Sequence, residues 1–196
     1  MVAPDSPEPL QTLASVRLSQ EKLEDARAAL TRSMDIWIDL PPEDPSVPDF
    51  PTQISLVRLL MDATMEDQAM EVLERLVDED DHSVEAWYLG GWCLNVMAEK
   101  ESADSTTTLM EASAGADAKT RTLKTSRDWL LKCLKLYKKL EYEDERLKAH
   151  ADELVAEMNK VLGPPVEGAD DEEDEWEGIE EDSDEDGQED EVMEGT

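Results

Sequence analysis

The chain has 196 residues, with 51 Asp and Glu against 18 Lys and Arg, a formal net charge of −33. That balance argues against a nucleic-acid binder, because phosphate contacts need clustered Lys and Arg; it equally disfavours an anionic membrane surface and favours basic partners such as ribosomal proteins, histones or arginine-rich segments. No apolar run of about 18 residues is present to span a membrane, and Met1–Pro9 lacks the basic and apolar parts of a signal peptide.

In chain order, residues 1–9 are Pro-rich and are expected to be disordered. Helix is expected from Leu10, with Leu10, Leu13, Ala14 and Arg17 on one face. Ser19 and Gln20 form a turn, and the segment from Gln20 to Ala26 opens a second helix. Its inner face is Leu23, Ala26, Leu30, Met34 and Trp37. Pro41 and Pro42 end it, since proline cannot donate inside a helix. Five prolines within 41–51 predict an extended connector. Pro51 can open the next helix, where its missing donor costs nothing. That helix carries Ile54, Leu56, Val57, Leu60 and Met61, and its partner, about 65–78, turns Ala69, Leu73, Leu76 and Val77 inward. Ser83 is the expected N-cap of a third pair, followed by Trp87, Gly90, Gly91, Leu94 and Met97. A Ser/Thr/Ala-rich insertion, about 101–118, reads as a mobile loop with frayed helix at best. Helix returns over about 120–141, with Ser126, Trp129, Leu130, Cys133, Leu134, Tyr137 and Leu140. A last helix, about 143–162, carries Leu147, Ala151, Leu154, Met158 and Val161 inward until Gly163-Pro164-Pro165 stops it. Residues 163–196 form an acidic tail, expected to be disordered; from Glu167 it holds 18 Asp and Glu and no Lys or Arg. The remaining 166 residues carry −15, so the helical part is acidic too.

The interval from Gln53 to Trp87 is 34 residues, the period of tetratricopeptide helix pairs. At that offset Ile54 falls on Tyr88, Val57 on Gly91 and Leu60 on Leu94. The second helices share a finer register: Ala26/Leu30/Ser33, Ala69/Leu73/Leu76 and Ser126/Leu130/Cys133 repeat at offsets of four and seven, small residue first. A small side chain there lets paired helices approach closely. The expected fold is therefore an all-α, tetratricopeptide-type solenoid over residues 10–162. It consists of three helix pairs and a C-terminal capping helix with a charged outer face. No polar helix caps the N-terminal end, so a fragment of a longer array is expected in preference to a second subunit covering that end.

Several segments resemble a known family: Leu13–Gln20, Asp25–Leu30 with Trp37, Val47–Thr52, and above all Glu85-Ala86-Trp87-Tyr88-Leu89-Gly90-Gly91-Trp92-Cys93. With the acidic C-terminus, they resemble the fungal tetratricopeptide assembly chaperones dedicated to large-subunit ribosomal protein four. The resemblance covers roughly residues 8–162 and corresponds to the C-terminal half of the family's usual length. It implies capture of a newly made ribosomal protein, protection from aggregation, and escort to the nucleus for pre-ribosome assembly. A histone chaperone, or a generic repeat scaffold with an acidic arm, is the alternative.

Catalysis has little support. His82 and His150 lie far apart in acidic contexts, and neither a nucleophilic triad, a phosphate loop nor a Cys/His metal cluster is recognisable. No cofactor or metal is expected. Gly90-Gly91 sits within a helix pattern and reads as a close helix contact. Cys93 and Cys133 read as reduced core residues of a cytosolic or nuclear protein, and a monomer working in cytoplasm and nucleus is expected. Trp37, Trp87 and Trp129 fall on inward faces. Tyr88 and Trp92 lie off the core stripe, on the side of a first helix that lines the concave groove, where aromatics serve as binding anchors. For Trp92, packing on a neighbouring pair is equally open. The same projection places Gln11, Ser15, Arg58, Asp62, Asn95 and Glu99 along the groove. The client-binding residues are thus expected to be Arg58, Asp62, Tyr88, Trp92, Asn95 and Glu99, with Arg58 the lone cation. Asp62, Glu66 and Glu99 are available to a partner's Lys or Arg, although ordinary solvated charge is the default reading of any one of them. Ser183, in a run of acids, suits acidophilic kinases, but a phosphate there adds little to a saturated arm.

Overall fold

The computed structural model describes residues 6–104 and 109–164, and the side chains among them outside 101–116. The described residues contain seven helices and no strand. These are α1 (Pro7–Ser19), α2 (Leu23–Met34), α3 (Phe50–Asp62), α4 (Glu66–Glu79), α5 (Val84–Asp104), α6 (Leu109–Lys139) and α7 (Glu145–Leu162). They form the pairs α1/α2, α3/α4 and α5/α6, and α7 packs on α6 and α5. The odd helices also touch in succession, α1 on α3, α3 on α5 and α5 on α7, as in a tetratricopeptide-type solenoid.

The shared register of the second helices is the core of this stack. All nine residues of the three series, from Ala26/Leu30/Ser33 to Ser126/Leu130/Cys133, are fully buried. Two of the hydroxyls close bonds across the pair: Ser33 Oγ donates to the Pro7 carbonyl (3.0 Å) and Ser126 Oγ to the Gly91 carbonyl (2.6 Å). Gly90 and Gly91 serve the close approach expected of them. A Cβ at Gly90 would lie 2.1 Å from Trp129 Cε3, and one at Gly91 2.5 Å from Leu130 Cγ. Trp129 packs on Trp87 with ring centroids 4.7 Å apart and planes tilted by 57°, both half-buried, whereas Trp37 is wholly buried with the Arg75 guanidinium 5.4 Å above its ring.

Local chemistry sets the ends. Asp49 caps α3, Oδ1 accepting from the Thr52 amide (3.0 Å), and bonding to Thr52 holds its carboxyl below the usual range. Asp144 caps α7, accepting from the Arg146 and Leu147 amides, and Ser83 Oγ accepts from Ala86 N ahead of α5. The turns within the first two pairs each place one residue in the left-handed region, Glu21 (φ 59°) and Thr64 (φ 57°), at matching points of the repeat. Arg27 ties the first pair to the second turn, Nε donating to the Ala63 carbonyl (2.8 Å) and Nη2 to Thr64 Oγ1.

The structure departs from the sequence reading at several ends. Helix begins at Pro7 rather than Leu10, because a first-turn proline lacks only a donor the helix would not use. Residues 1–5 lie outside the described ones. α2 starts at Leu23, after Glu21 has broken the helical path, and ends at Met34. The proline connector is folded into turns, Asp44 N to Pro41 O and Val47 N to Asp44 O, with Asp44 Oδ1 accepting from Ser46 N. Residues 101–104 and 109–118, expected as a loop, are helical. Five alanines between 103 and 118, and no proline, explain the helix, since alanine is the strongest helix former. Val161 overhangs the end of the stack at 70% exposure, and Leu140, beyond the last turn of α6, is 46% exposed. Leu13 and Leu23 are also exposed. The acidic run from Glu167 lies outside the described residues.

Candidate partner-binding groove

A pocket of about 380 Å³ opens along the row of odd helices. Arg58, Met61 and Asp62 line it from α3, Tyr88, Leu89 and Trp92 from α5, and Asp144, Arg146 and Leu147 from the start of α7. Spacings of three and four bring the first two sets onto one face each. Leu89 and Leu147 are buried and form an apolar floor with the half-buried Met61.

An aromatic cluster forms one wall. Tyr88 and Trp92 lie 6.0 Å apart, and the His150 ring stands edge-on to both, 5.3 Å from Trp92 and 5.8 Å from Tyr88. The Tyr88 hydroxyl is 2.8 Å from His150 Nδ1. Burial pushes the Tyr88 phenol up, with the Cys133 thiol and the Asp144 carboxylate adding to it, so the hydroxyl keeps its proton. Trp92 remains 36% exposed. Charges of both signs ring the cluster. Arg58 is paired with Glu85 at the start of α5, and Asp62 pairs with nothing among the described residues.

Four of the six expected client-binding residues, Arg58, Asp62, Tyr88 and Trp92, meet in this pocket. Asn95 and Glu99 continue the Tyr88–Trp92 stripe along α5 outside it, Asn95 Nδ2 donating to Glu99 Oε1 (3.3 Å). Ser15 is exposed on α1, but Gln11 is buried and lines no groove. Arg58 is not the lone cation, because Arg146 joins it from α7. Glu66 is not available to a partner: it is buried at the start of α4, and Lys100 Nζ holds it at 2.7 Å. Sequence reasoning takes Met61 for core and misses Leu89, and it misses the three lining residues at the start of α7, Asp144, Arg146 and Leu147. Their only signal is Asp144 ahead of an amphipathic run, which marks a helix start but not what the helix packs against.

The groove contains an apolar floor, aromatic faces, and donors and acceptors of either sign. Such a lining can take apolar and charged side chains side by side. Both thiols are buried in the core and free, and burial pushes each up to about 12.

No protein-family model matches the chain. A curated protein of Emericella nidulans, "Probable assembly chaperone of rpl4", is 56% identical over 191 residues, which is 94% of this chain and 50% of that protein. A Schizosaccharomyces pombe protein with the same description is 35% identical over 87% of this chain and 48% of its own length. The chain belongs to this family. It spans about half the length of the curated relatives it matches. Among solved structures, Assembly Chaperone of RpL4 (Acl4), residues 1–338, is similar with a TM-score of 0.53 and 57% identity. That match covers 54% of this chain and 37% of the solved one.

Proposed function

We propose that the chain is the part of a dedicated assembly chaperone that holds a basic ribosomal protein of the large subunit, of the rpl4 kind named for its relatives. The observation that carries this reading is the 56% identity, over 94% of the chain, to a protein described as an assembly chaperone of rpl4. The groove supplies a physical means. An extended client segment lies along the odd helices, an apolar or aliphatic side chain rests on Tyr88, Trp92 and the Leu89–Leu147 floor, and Asp62, Asp144 and Glu99 face its Lys and Arg. Burial of an aromatic anchor supplies most of the affinity and the carboxylates supply sign selection. The net charge of −15 over the first 166 residues favours basic segments generally and attracts them at a distance. The action is stoichiometric holding rather than catalysis. Because ribosomal proteins are made in the cytoplasm and assembled in the nucleus, the chain works in both. The helical domain over 10–162 is the holding element, and the acidic run from Glu167 a solvating arm.

Co-purification of co-expressed rpl4 tests the groove. Trp92→Ala costs about 2 kcal/mol or more of client affinity if Trp92 is an anchor, and Asp62→Lys weakens capture further at low salt than at high salt. Undiminished rpl4 recovery by both variants, each folded by circular dichroism, would remove the groove from the account.

A further inference from the structure

Carboxylates outnumber cations at the groove pocket. Arg58 and Arg146 line it against Asp62 and Asp144, and Glu85 is paired with Arg58. Asp62, exposed at the end of α3, has no partner among the described residues. Asp144 uses one oxygen for its cap: Oδ1 accepts from the Arg146 and Leu147 amides at 3.0 and 3.1 Å, and Oδ2 accepts from nothing among the described residues. Three carboxylates thus face two guanidinium groups, and the pocket is one positive charge short of balance. Apolar surface lies between these charges. Leu89 and Leu147 are buried at the floor, and Trp92, 36% exposed, stands in the wall with the Tyr88 ring 6.0 Å and the His150 ring 5.3 Å away.

Three kinds of client side chain could enter, and the physics separates them. A purely apolar one covers the floor but strips water from Asp62 and Asp144 and pairs with neither, and an unpaired charge losing its water is costly. A lysine supplies the missing charge, but its compact, strongly hydrated ammonium meets a carboxylate as a point charge and gains less from an aromatic face. An arginine matches every part of the site. Its methylene stem covers the floor, its planar guanidinium stacks on an aromatic ring, and its fork of donors serves two carboxylates at once.

We propose, on the reading that the groove holds a basic client, that this pocket is an arginine-reading subsite, in which the guanidinium of one client arginine stacks on Trp92 and pairs with Asp62 and the open oxygen of Asp144. Asp62 comes from α3 and Asp144 from the start of α7, so one client side chain ties two helices together. Arg146 has no carboxylate of its own among the described residues and is left to donate to the carbonyls of the same segment. Arg58, already neutralised by Glu85, adds little repulsion. Preference for arginine over lysine marks the subsite, because general attraction to an acidic surface does not tell the two apart.

The test is fluorescence anisotropy of short labelled peptides that together cover rpl4, titrated with the full chain. The tightest binder is expected to contain one arginine whose replacement by lysine weakens binding roughly tenfold, and by leucine further. Asp62→Asn, and Asp144→Asn, which keeps a cap on α7, should each weaken the parent peptide and bring its arginine and lysine forms close together. Trp92→Ala should weaken both forms. Equal binding of the arginine and lysine forms, an undiminished preference for arginine in both Asn variants, a tightest peptide without arginine, or no peptide binding at all would overturn the subsite. Co-purification of whole rpl4, run alongside, separates that failure from the other: rpl4 retained by the parent chain leaves the holding function standing, and rpl4 not retained overturns both.

Discussion

Alanine at Gly91 puts the packing of α5 on α6 to a numerical test. The added Cβ would meet Leu130 Cγ at 2.5 Å, Leu130 Cδ2 at 2.7 Å and the Ser126 carbonyl at 3.1 Å. Leu130 is fully buried, and Ser126 is held to Gly91 by its own hydroxyl bond. Overpacking of this kind costs about 1–3 kcal/mol, whereas Gly to Ala within a helix returns at most about 1 kcal/mol. The variant is therefore destabilised by up to about 2 kcal/mol, and at roughly 2–4 °C per kcal/mol its Tm falls by several degrees. Gly90→Ala should lose more, since the contact is 2.1 Å and the Trp129 ring cannot retreat without leaving Trp87. Thermal unfolding followed by far-ultraviolet circular dichroism gives the Tm, and the near-ultraviolet band reports the tilted Trp87–Trp129 contact. A Tm at or above that of the parent for both variants would refute the close-packed pair.

Three further outcomes follow from the same structure. Asp144→Ala removes the carboxylate that caps α7 and should cost about 1 kcal/mol, measured as a lower Tm, while Asp144→Asn or Asp144→Ser keeps most of it. Cys93 and Cys133, both pushed up to about 12 by burial, have almost no thiolate at pH 8, so a thiol reagent should label neither in the folded chain and both once it is unfolded; rapid labelling of either without denaturant would contradict their burial. Glu66→Gln leaves the Lys100 ammonium without its carboxylate and should lower the Tm modestly without touching client capture, which a combined melting and co-purification experiment would separate.

How much was legible in the sequence depends on how local each feature is. The Ala69/Leu73/Leu76 type of register is a property of one helix and repeats three times, so its burial could be read directly. Tyr88 and Trp92 were legible for the same reason: they stand off the Gly91 stripe of the same helix. Arg146, Leu147 and His150 were not, because their place beside Trp92 depends on how α7 folds back on α5, which no spacing within either helix encodes. Glu66 fails similarly, since its partner Lys100 lies 34 residues away on a neighbouring helix. The insertion misled through composition: Ser and Thr suggested a loop while the interspersed alanines sustained helix. Helix ends misled through geometry, for a periodic pattern continues on paper past the point where Leu140 or Val161 runs out of neighbours.

The central claim, selective holding of a basic ribosomal protein, is tested most directly by co-expressing the chain with rpl4, alongside a core histone pair, and measuring what co-purifies across a salt series. The account predicts that rpl4 is retained when the histones have been shed, because groove contacts survive screening that abolishes general attraction. Loss of both at the same moderate salt would contradict it and leave only unselective binding to an acidic surface.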